Sequence, residues 1–434
     1  MARQERIVIT GLAVLSSLGY DSEAVWSRIH CGDVNVSLEK IDVGGERWIE
    51  YFIHRIKDFK VEKFGLQNDL LNEILAWKKN KIPLDLLYLS TLTKLALNDS
   101  YLKFSKDKNN IGLVLTCEGP GLEDFFSKVL SEAFKIRLKS KGRNDQKLEF
   151  FKKMYDRCAR SGYDLQTFMH LFFVSKILCI HGYSLFINNA CSSGLYALEA
   201  AANIIQRGLC PAVAVVGADH ADAYKYLWFK NQNMYSKNGV ISPFSLDANG
   251  YVFGDGGGAL ILESYQHAIK RKAKIYGEYL GGYFNSQGWK VTLPAIHKNY
   301  YSSVITSALK RAELRPENID LICAHGVGLK ITDHYEAKSI ASVFGKNGPP
   351  VTALKPYFGH NLGGNAILES AILLLSMKKG IAPKTLNSEK FDNTLGINLL
   401  RKELSVNLIN VMKICTGFAG FEGSVIFRNI KNQS

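Results

Sequence analysis

The chain predicts an α/β fold with covered sheets, and three observations carry that prediction. Short β-branched runs alternate with longer stretches of helical periodicity. At 434 residues the chain can build one large α/β domain or two fused halves with ample core. A break from Glu263-Ser264-Tyr265 to Lys274 separates segments of comparable core content, which places halves at 1–265 and 266–434.

The first strand is expected at Ile7-Val8-Ile9-Thr10-Gly11. The opening Met1 to Leu18 has the outline of a signal peptide, including Ser17-Leu18-Gly19 in small-x-small order. Glu5 in the would-be basic segment and the β-branched, Gly-broken run argue instead for a strand. Residues 45–175 are Lys-rich and mostly helical in pattern, with one strand near 111–116 and a charged stretch near 135–153. They read as an insertion or cap over the core. Buried strands are expected at Ile111–Thr116, Ser184–Ala190, Ala212–Gly217, Ala259–Leu262, Asp320–Ala324 and Ser424–Phe427. Helices are expected at about 192–207, 299–312, 333–344 and 363–379. An internal echo hints at duplication: Ala190-Cys191 and Gly359-His360 each precede small residues and an apolar helix.

Composition narrows the function classes. Hydrophobic residues make up 47% and charged residues 22%, as in ordinary soluble proteins. Eight cysteines are scattered without a CxxC pair, which argues against a zinc ribbon or disulfide framework and for a reducing compartment. No apolar run reaches the ~18 residues of a spanning helix, so a cytoplasmic protein without a membrane span is expected. The net charge of +14 suggests an acidic partner. Nucleic acid is the generic candidate, but the basic residues are dispersed and no nucleic-acid motif appears; a small acidic protein carrying the substrate fits equally well, and so does plain solubility of a Lys-rich chain.

Cys191 closes the strand run and opens the helix Ser192-Ser193-Gly194-Leu195. A thiol there faces unpaired backbone N–H groups, which favour the thiolate and lower its pKa. Alone it reads more readily as a small buried filler, since free cysteines are commonly buried and inert. Four further segments change that balance. Asp247 to Ala259 is Gly-rich, but its glycines precede a strand, so tight turns near a site are expected rather than a phosphate cradle. Ala324-His325-Gly326-Val327-Gly328 follows an apolar strand, with Asp333 and Glu336 opening the next helix. Lys355-Pro356-Tyr357-Phe358-Gly359-His360 runs into a helix containing Glu369, and Gly417-Phe418-Ala419-Gly420 precedes the last strand. Two histidines at strand ends beside glycine, and a cysteine at a third, point to a convergent site.

In these motifs the chain resembles the β-ketoacyl-acyl-carrier-protein synthases, condensing enzymes of the thiolase-like superfamily, from Ile7 to Arg428 and least in 45–175. The resemblance implies two duplicated halves in a five-layered αβαβα sandwich with a helical cap. It implies Cys191 as nucleophile, His325 and His360 as its partners, Lys355 and Glu369 as orienting charges, and Phe418 as gate. Backbone N–H groups of Cys191 and Phe418 would form the oxyanion hole. The implied reaction is decarboxylative Claisen condensation of a Cys191-bound acyl group with malonyl-acyl carrier protein. It requires no metal and no bound cofactor, since phosphopantetheine arrives on the acyl- or malonyl-loaded carrier protein. A homodimer is implied, or a heterodimer with a homologous chain-length-factor-like subunit.

Two departures stand out. The family's Thr-Ser-Thr after the first histidine, whose hydroxyls bind the pantetheine arm, reads Val327-Gly328-Leu329 here. The lost hydrogen bonds are worth about 0.5–1.5 kcal/mol each. Ala419 stands where the family has glycine, which should stiffen the gate. These changes suggest a specialised type II polyketide or fatty-acid-like pathway. They also leave two alternatives: a ketosynthase-like acyltransferase, or a non-elongating subunit of a ketosynthase heterodimer.

Overall fold

The computed structural model describes residues 5–42, 48–66, 68–77, 82–102, 111–119 and 166–430, with isolated positions 149, 152 and 155. The charged stretch expected near 135–153 lies otherwise outside the described residues. The strands are β1 (Ile7–Leu15), β2 (Ser37–Asp42), β3 (Trp48–Ile53), β4 (Ile111–Thr116), β5 (Ser184–Ile187), β6 (Ala212–Asp219), β7 (Gly256–Ser264), β8 (Gly277–Ser286), β9 (Leu321–Cys323), β10 (Pro350–Thr352), β11 (Ile381–Ala382), β12 (Asn398–Leu399), β13 (Leu404–Ser405), β14 (Asn410–Thr416) and β15 (Phe421–Arg428). The helices are α1 (Ser22–Cys31), α2 (Asn68–Trp77), α3 (Leu84–Asp99), α4 (Thr167–Leu178), α5 (Ser193–Gln206), α6 (Ala223–Asn231), α7 (Tyr265–Lys270), α8 (Tyr300–Arg311), α9 (Lys330–Phe344), α10 (Lys355–Phe358) and α11 (Asn365–Lys379).

Eleven strands form one sheet, in the order β12-β10-β9-β14-β15-β8-β1-β7-β6-β4-β5. The duplication is visible in this order. From the middle outward, β1-β7-β6-β4-β5 and β8-β15-β14-β9-β10 have the same connectivity. Each half pairs its first strand with its last, and its two following strands run parallel (β4 with β5, β9 with β10). The two halves of the sheet meet in three antiparallel pairs, Ile7↔Tyr279, Val8↔Glu278 and Ile9↔Gly277.

Period-two side chains divide the core into layers. Val213, Val215, Leu260, Leu262, Val411 and Val425 face a shared central cluster built on α5 and α11. On the opposite face of the first half, Ala214, Val216, Ala259 and Ile261 meet α3 and α4. On that of the second half, Ile322, Met412, Ile414 and Ile426 meet α8 and α9. Helices, sheet, helices, sheet, helices is the five-layered sandwich implied by the resemblance. The central helices cross tightly: a Cβ on Gly194 would lie 2.7 Å from Ile367 Cγ1.

Residues 45–175 differ from the expected cap. Helix α3 packs on β1, β6 and β7, and β4 is an interior strand, so both belong to the sandwich. Surface lysines coloured the composition of a segment whose buried face is Leu86, Leu89, Leu92 and Ala96. Among the described residues, no helix is long and apolar enough to cross a membrane.

Candidate active site

The expected site residues converge. Beyond β5 the chain turns at Ala190, held at φ 51°, and delivers Cys191 to the start of α5. The strand ends at Ile187 instead of running to Ala190, so Cys191 sits on a short loop. His325 follows β9, and His360 sits between α10 and α11. His360 Nε2 is 3.2 Å from Cys191 Sγ. One nitrogen of His325 and one of His360 lie with that sulfur within 4.8 Å of one another. The two imidazole centroids are 5.5 Å apart at 83°.

The tautomers follow from fixed donors. The Leu362 N–H donates to His360 Nδ1 over 3.2 Å, so the imidazole proton lies on Nε2, facing the sulfur. Lys355 Nζ stands 3.3 Å from His325 Nδ1 and also donates to the His325 carbonyl, which leaves His325 its Nε2 proton. Burial, then the nearby Lys355 ammonium, holds both histidines well below the usual imidazole value, so both are neutral N–H donors near pH 7. With the nitrogens facing the thiol protonated, the trio does not suit a metal, which needs their lone pairs.

The thiol corrects an expectation. Helix position was expected to lower its pKa, but burial, with Glu118 and Cys415 nearby, pushes it well above the ordinary thiol value. Lys355 and the Phe418 backbone N–H, which bonds the thiol, offset this only in part. Removing water costs a thiolate more than a helix end returns.

Beneath the histidines lies an ionic cluster, all of it buried. Glu369 Oε1 takes Lys355 Nζ at 3.1 Å, while Oε2 takes Lys413 Nζ at 2.6 Å and Asn365 Nδ2 at 2.6 Å. Asp333 and Glu336 clamp the histidine loop through its backbone. Glu336 accepts from the N–H groups of His325 (2.7 Å) and Gly326 (2.8 Å), and Asp333 from those of Val327 (3.1 Å) and Gly328 (3.2 Å). Both stand in the early turns of α9, which starts at Lys330, one turn before the expected 333. Gly328 has φ 77°, which suits glycine where the family carries serine.

The glycines after Asp255 lie inside β7 rather than in the expected tight turns before it, and they serve close packing. A Cβ on Gly258 would meet Leu368 N at 2.6 Å. Phe418 stacks on Phe229 with centroids 5.2 Å apart and lines a cleft together with Tyr251 and His360. Val291, Leu293, Val327 and Leu329 line the same cleft, with Thr332 and Thr416 supplying hydroxyls. Ala419 adopts φ 57° and its N–H bonds Val291 O at 2.7 Å.

Sequence reasoning missed Lys413, Cys415, Asn365 and Thr332. Lys413 left a readable trace, a lone lysine inside the apolar strand Asn410–Thr416. Cys415 Sγ lies 3.2 Å from His325 Nδ1 and 3.2 Å from the Cys191 carbonyl. A second polar group, Asp85, Cys117 and Asp219, surrounds Lys225 Nζ, which is 3.4 Å from Asp219.

Comparison with known proteins gives a consistent result. Residues 168–268 match the β-ketoacyl synthase N-terminal domain and residues 276–389 its C-terminal domain. The 3-oxoacyl-[acyl-carrier-protein] synthase 2 of Vibrio cholerae is 27% identical over 98% of this chain and 100% of its own. The solved ishigamide ketosynthase/chain length factor superposes with a TM-score of 0.83 at 21% identity, covering 98% of this chain and all of that one. A type II polyketide synthase ketosynthase, solved with its acyl-carrier protein, gives 0.77 at 24% identity over 99% and 100%. Fold and matches together define a condensing enzyme of the acyltransferase class. The chain belongs to the β-ketoacyl synthase family, as a divergent member.

Proposed function

We propose that the protein elongates an acyl chain carried on Cys191 by decarboxylative condensation with malonyl-acyl carrier protein. The contact that carries this reading is the protonated His360 Nε2 facing Cys191 Sγ, with His325 beside it. In the first step Cys191 displaces the pantetheine thiol from an acyl thioester, and the thiol proton passes to the departing sulfur. The Phe418 N–H, which already reaches the Cys191 sulfur, and the Cys191 N–H stabilise the tetrahedral oxyanion. In the second step the Nε2–H groups of His325 and His360 hold the malonyl thioester oxygen as CO2 leaves. Neutral imidazoles suit this task, since they give hydrogen bonds without surrendering a proton. Lys355 and Glu369 orient the pair.

The phosphopantetheine arm would enter between Val291, Leu293, Val327 and Leu329, with Thr332 and Thr416 left to bond its amides. This largely apolar wall supports a specialised cytoplasmic type II pathway of polyketide or fatty-acid-like character. Relatives crystallised as a ketosynthase/chain length factor and with an acyl-carrier protein support carrier protein as partner, and either a like or a homologous subunit as companion. The loss of the family's hydroxyl triplet favours a second reading, acyl transfer to an alcohol or amine without decarboxylation.

Intact-mass analysis separates these readings. With acyl carrier protein the Cys191 peptide gains the acyl mass, and malonyl carrier protein then yields CO2 and a β-keto product. Acylation without CO2 points to the acyltransferase, and no acylation from a competent donor to a non-elongating subunit. Cys191→Ala abolishes loading, whereas His325→Ala keeps loading and loses condensation. Equal condensation by wild type and His325→Ala sinks the histidine assignment.

A further inference from the structure

Lys413 has no task in the steps above, yet burying an ammonium costs several kcal/mol unless it is well paired. It lies in β14 with none of its surface exposed, on the face shared by Val411 and Cys415, pointing at α11. Its Nζ holds Glu369 Oε2 and, over 3.0 Å, the carbonyl of Ala324, the residue before His325. Glu369 gives its other oxygen to Lys355. Two ammonium groups thus share one carboxylate. Glu336, on α9, is a second acid in electrostatic reach of both lysines; its oxygens accept from the amides of His325 and Gly326 and from Tyr301, and burial raises its pKa. Other titratable groups around the imidazoles are Tyr251, packed on His360 with ring centroids 5.3 Å apart, Cys323 on β9, Cys415 on β14, Cys191 before α5 and Glu118 after β4, and burial pushes each of them toward its neutral form.

The geometry points to Lys413 as a positioning residue that, with Lys355, fixes ammonium groups beneath the paired imidazoles and draws negative charge toward the thioester oxygen during decarboxylation. This rests on the condensation reading. The malonyl C–C bond breaks, its electron pair moves through the α-carbon onto the thioester oxygen, and CO2 leaves. The carbanion then bonds the acyl carbon while the bond to Cys191 sulfur breaks, and that sulfur regains a proton from solvent. The negative charge thereby moves from the malonyl carboxylate to an oxygen held by the histidines, where a fixed cation below counts most. The same cation disfavours imidazolium and keeps both rings as neutral donors.

The test uses Lys413→Met, with Lys413→Arg as the charge-preserving control. Lys413→Met should lose tenfold or more in CO2 release from malonyl carrier protein and much less in acyl loading of Cys191. The acid limb of its decarboxylation profile should move to higher pH, because protonation of the histidines becomes easier. Lys413→Arg should recover most of both. Nitrogen-15 NMR of the histidine rings reads the same field without turnover, and the His325 and His360 midpoints should rise in Lys413→Met. Unmoved midpoints in a folded Lys413→Met overturn the inference even if the wild type proves unable to condense. Equal losses in loading and decarboxylation, with no recovery in Lys413→Arg, assign Lys413 to structure alone and overturn it as well. A wild type with shifted midpoints but no CO2 release refutes the condensation reading and with it this role for Lys413.

Discussion

The two halves share one strand order but bury opposite charge balances. In the second half, Lys355 and Lys413 divide a single carboxylate, Glu369, directly beneath two histidines. In the first half, Asp85, Asp219 and Asp222 gather around a single lysine, Lys225. In the proposed reaction the first cluster would face the thioester oxygen. The second grips backbone: Asp219 accepts from Glu118 N at 3.0 Å and from Gly363 N at 2.9 Å, fixing the turn between His360 and α11. A duplicated scaffold therefore separates tasks by charge sign, with a cationic floor for chemistry and an anionic clamp for position.

The sharpest way to break this comparison is to neutralise one acid in each cluster. Glu369→Gln deprives two buried ammonium groups of the carboxylate they touch and should cost about 3–5 kcal/mol, the range for breaking a buried pair. Asp219→Asn removes one acid of several around one lysine and should cost clearly less, about 1–2 kcal/mol. Urea denaturation of both variants measures the difference, and equal losses would end the distinction.

A second contrast lies in pH. Both active-site histidines have lowered values in the folded chain, so their contribution is complete above the unfolded value near 6.5 and is lost as pH falls. Asp219 is raised to about 6 by burial, so its contribution is present below the unfolded value near 3.8 and is lost as pH rises through about 6. The two oppose each other between pH 4 and 6. Stability should therefore climb more steeply with pH in Asp219→Asn than in wild type, as followed by thermal melts across that window.

The smallest effect concerns the gate. Ala419 at φ 57° carries about 1 kcal/mol of left-handed backbone strain that glycine would relieve, partly offset by the freedom glycine gives the unfolded chain. Ala419→Gly should change stability by under about 1 kcal/mol and speed acyl exchange at Cys191, read by stopped-flow loading. Slower loading would contradict a stiffened gate.

Much of this was legible in the sequence because burial imposes a pattern. Ala212–Gly217 and Ser424–Phe427 are apolar on both faces, as strands covered by helices on both sides must be. The helix beginning at Lys330 was placed a turn late because Leu329 offers no capping side chain to mark the start. Cys191, His325 and His360 were found because each lies at a strand or helix end beside a small residue. What escaped depends on three-dimensional neighbours. The direction of the thiol's pKa shift turns on water excluded by distant segments, and Lys413 resembles an ordinary strand lysine until Glu369 appears across the layer boundary. Helix α3 reads as part of a cap only because it sits inside the Lys-rich 45–175 segment; α3 itself carries one lysine, Lys94, among seven leucines.

The missing side chain of Gly194 has a lasting consequence. Cys191 and His360 come from different halves, and the gap between sulfur and nitrogen is set where the helices behind them touch. A single methyl group there would act as a shim, spreading the two reactive ends while altering neither. Reach across the midline is thus governed by an atom that is not present.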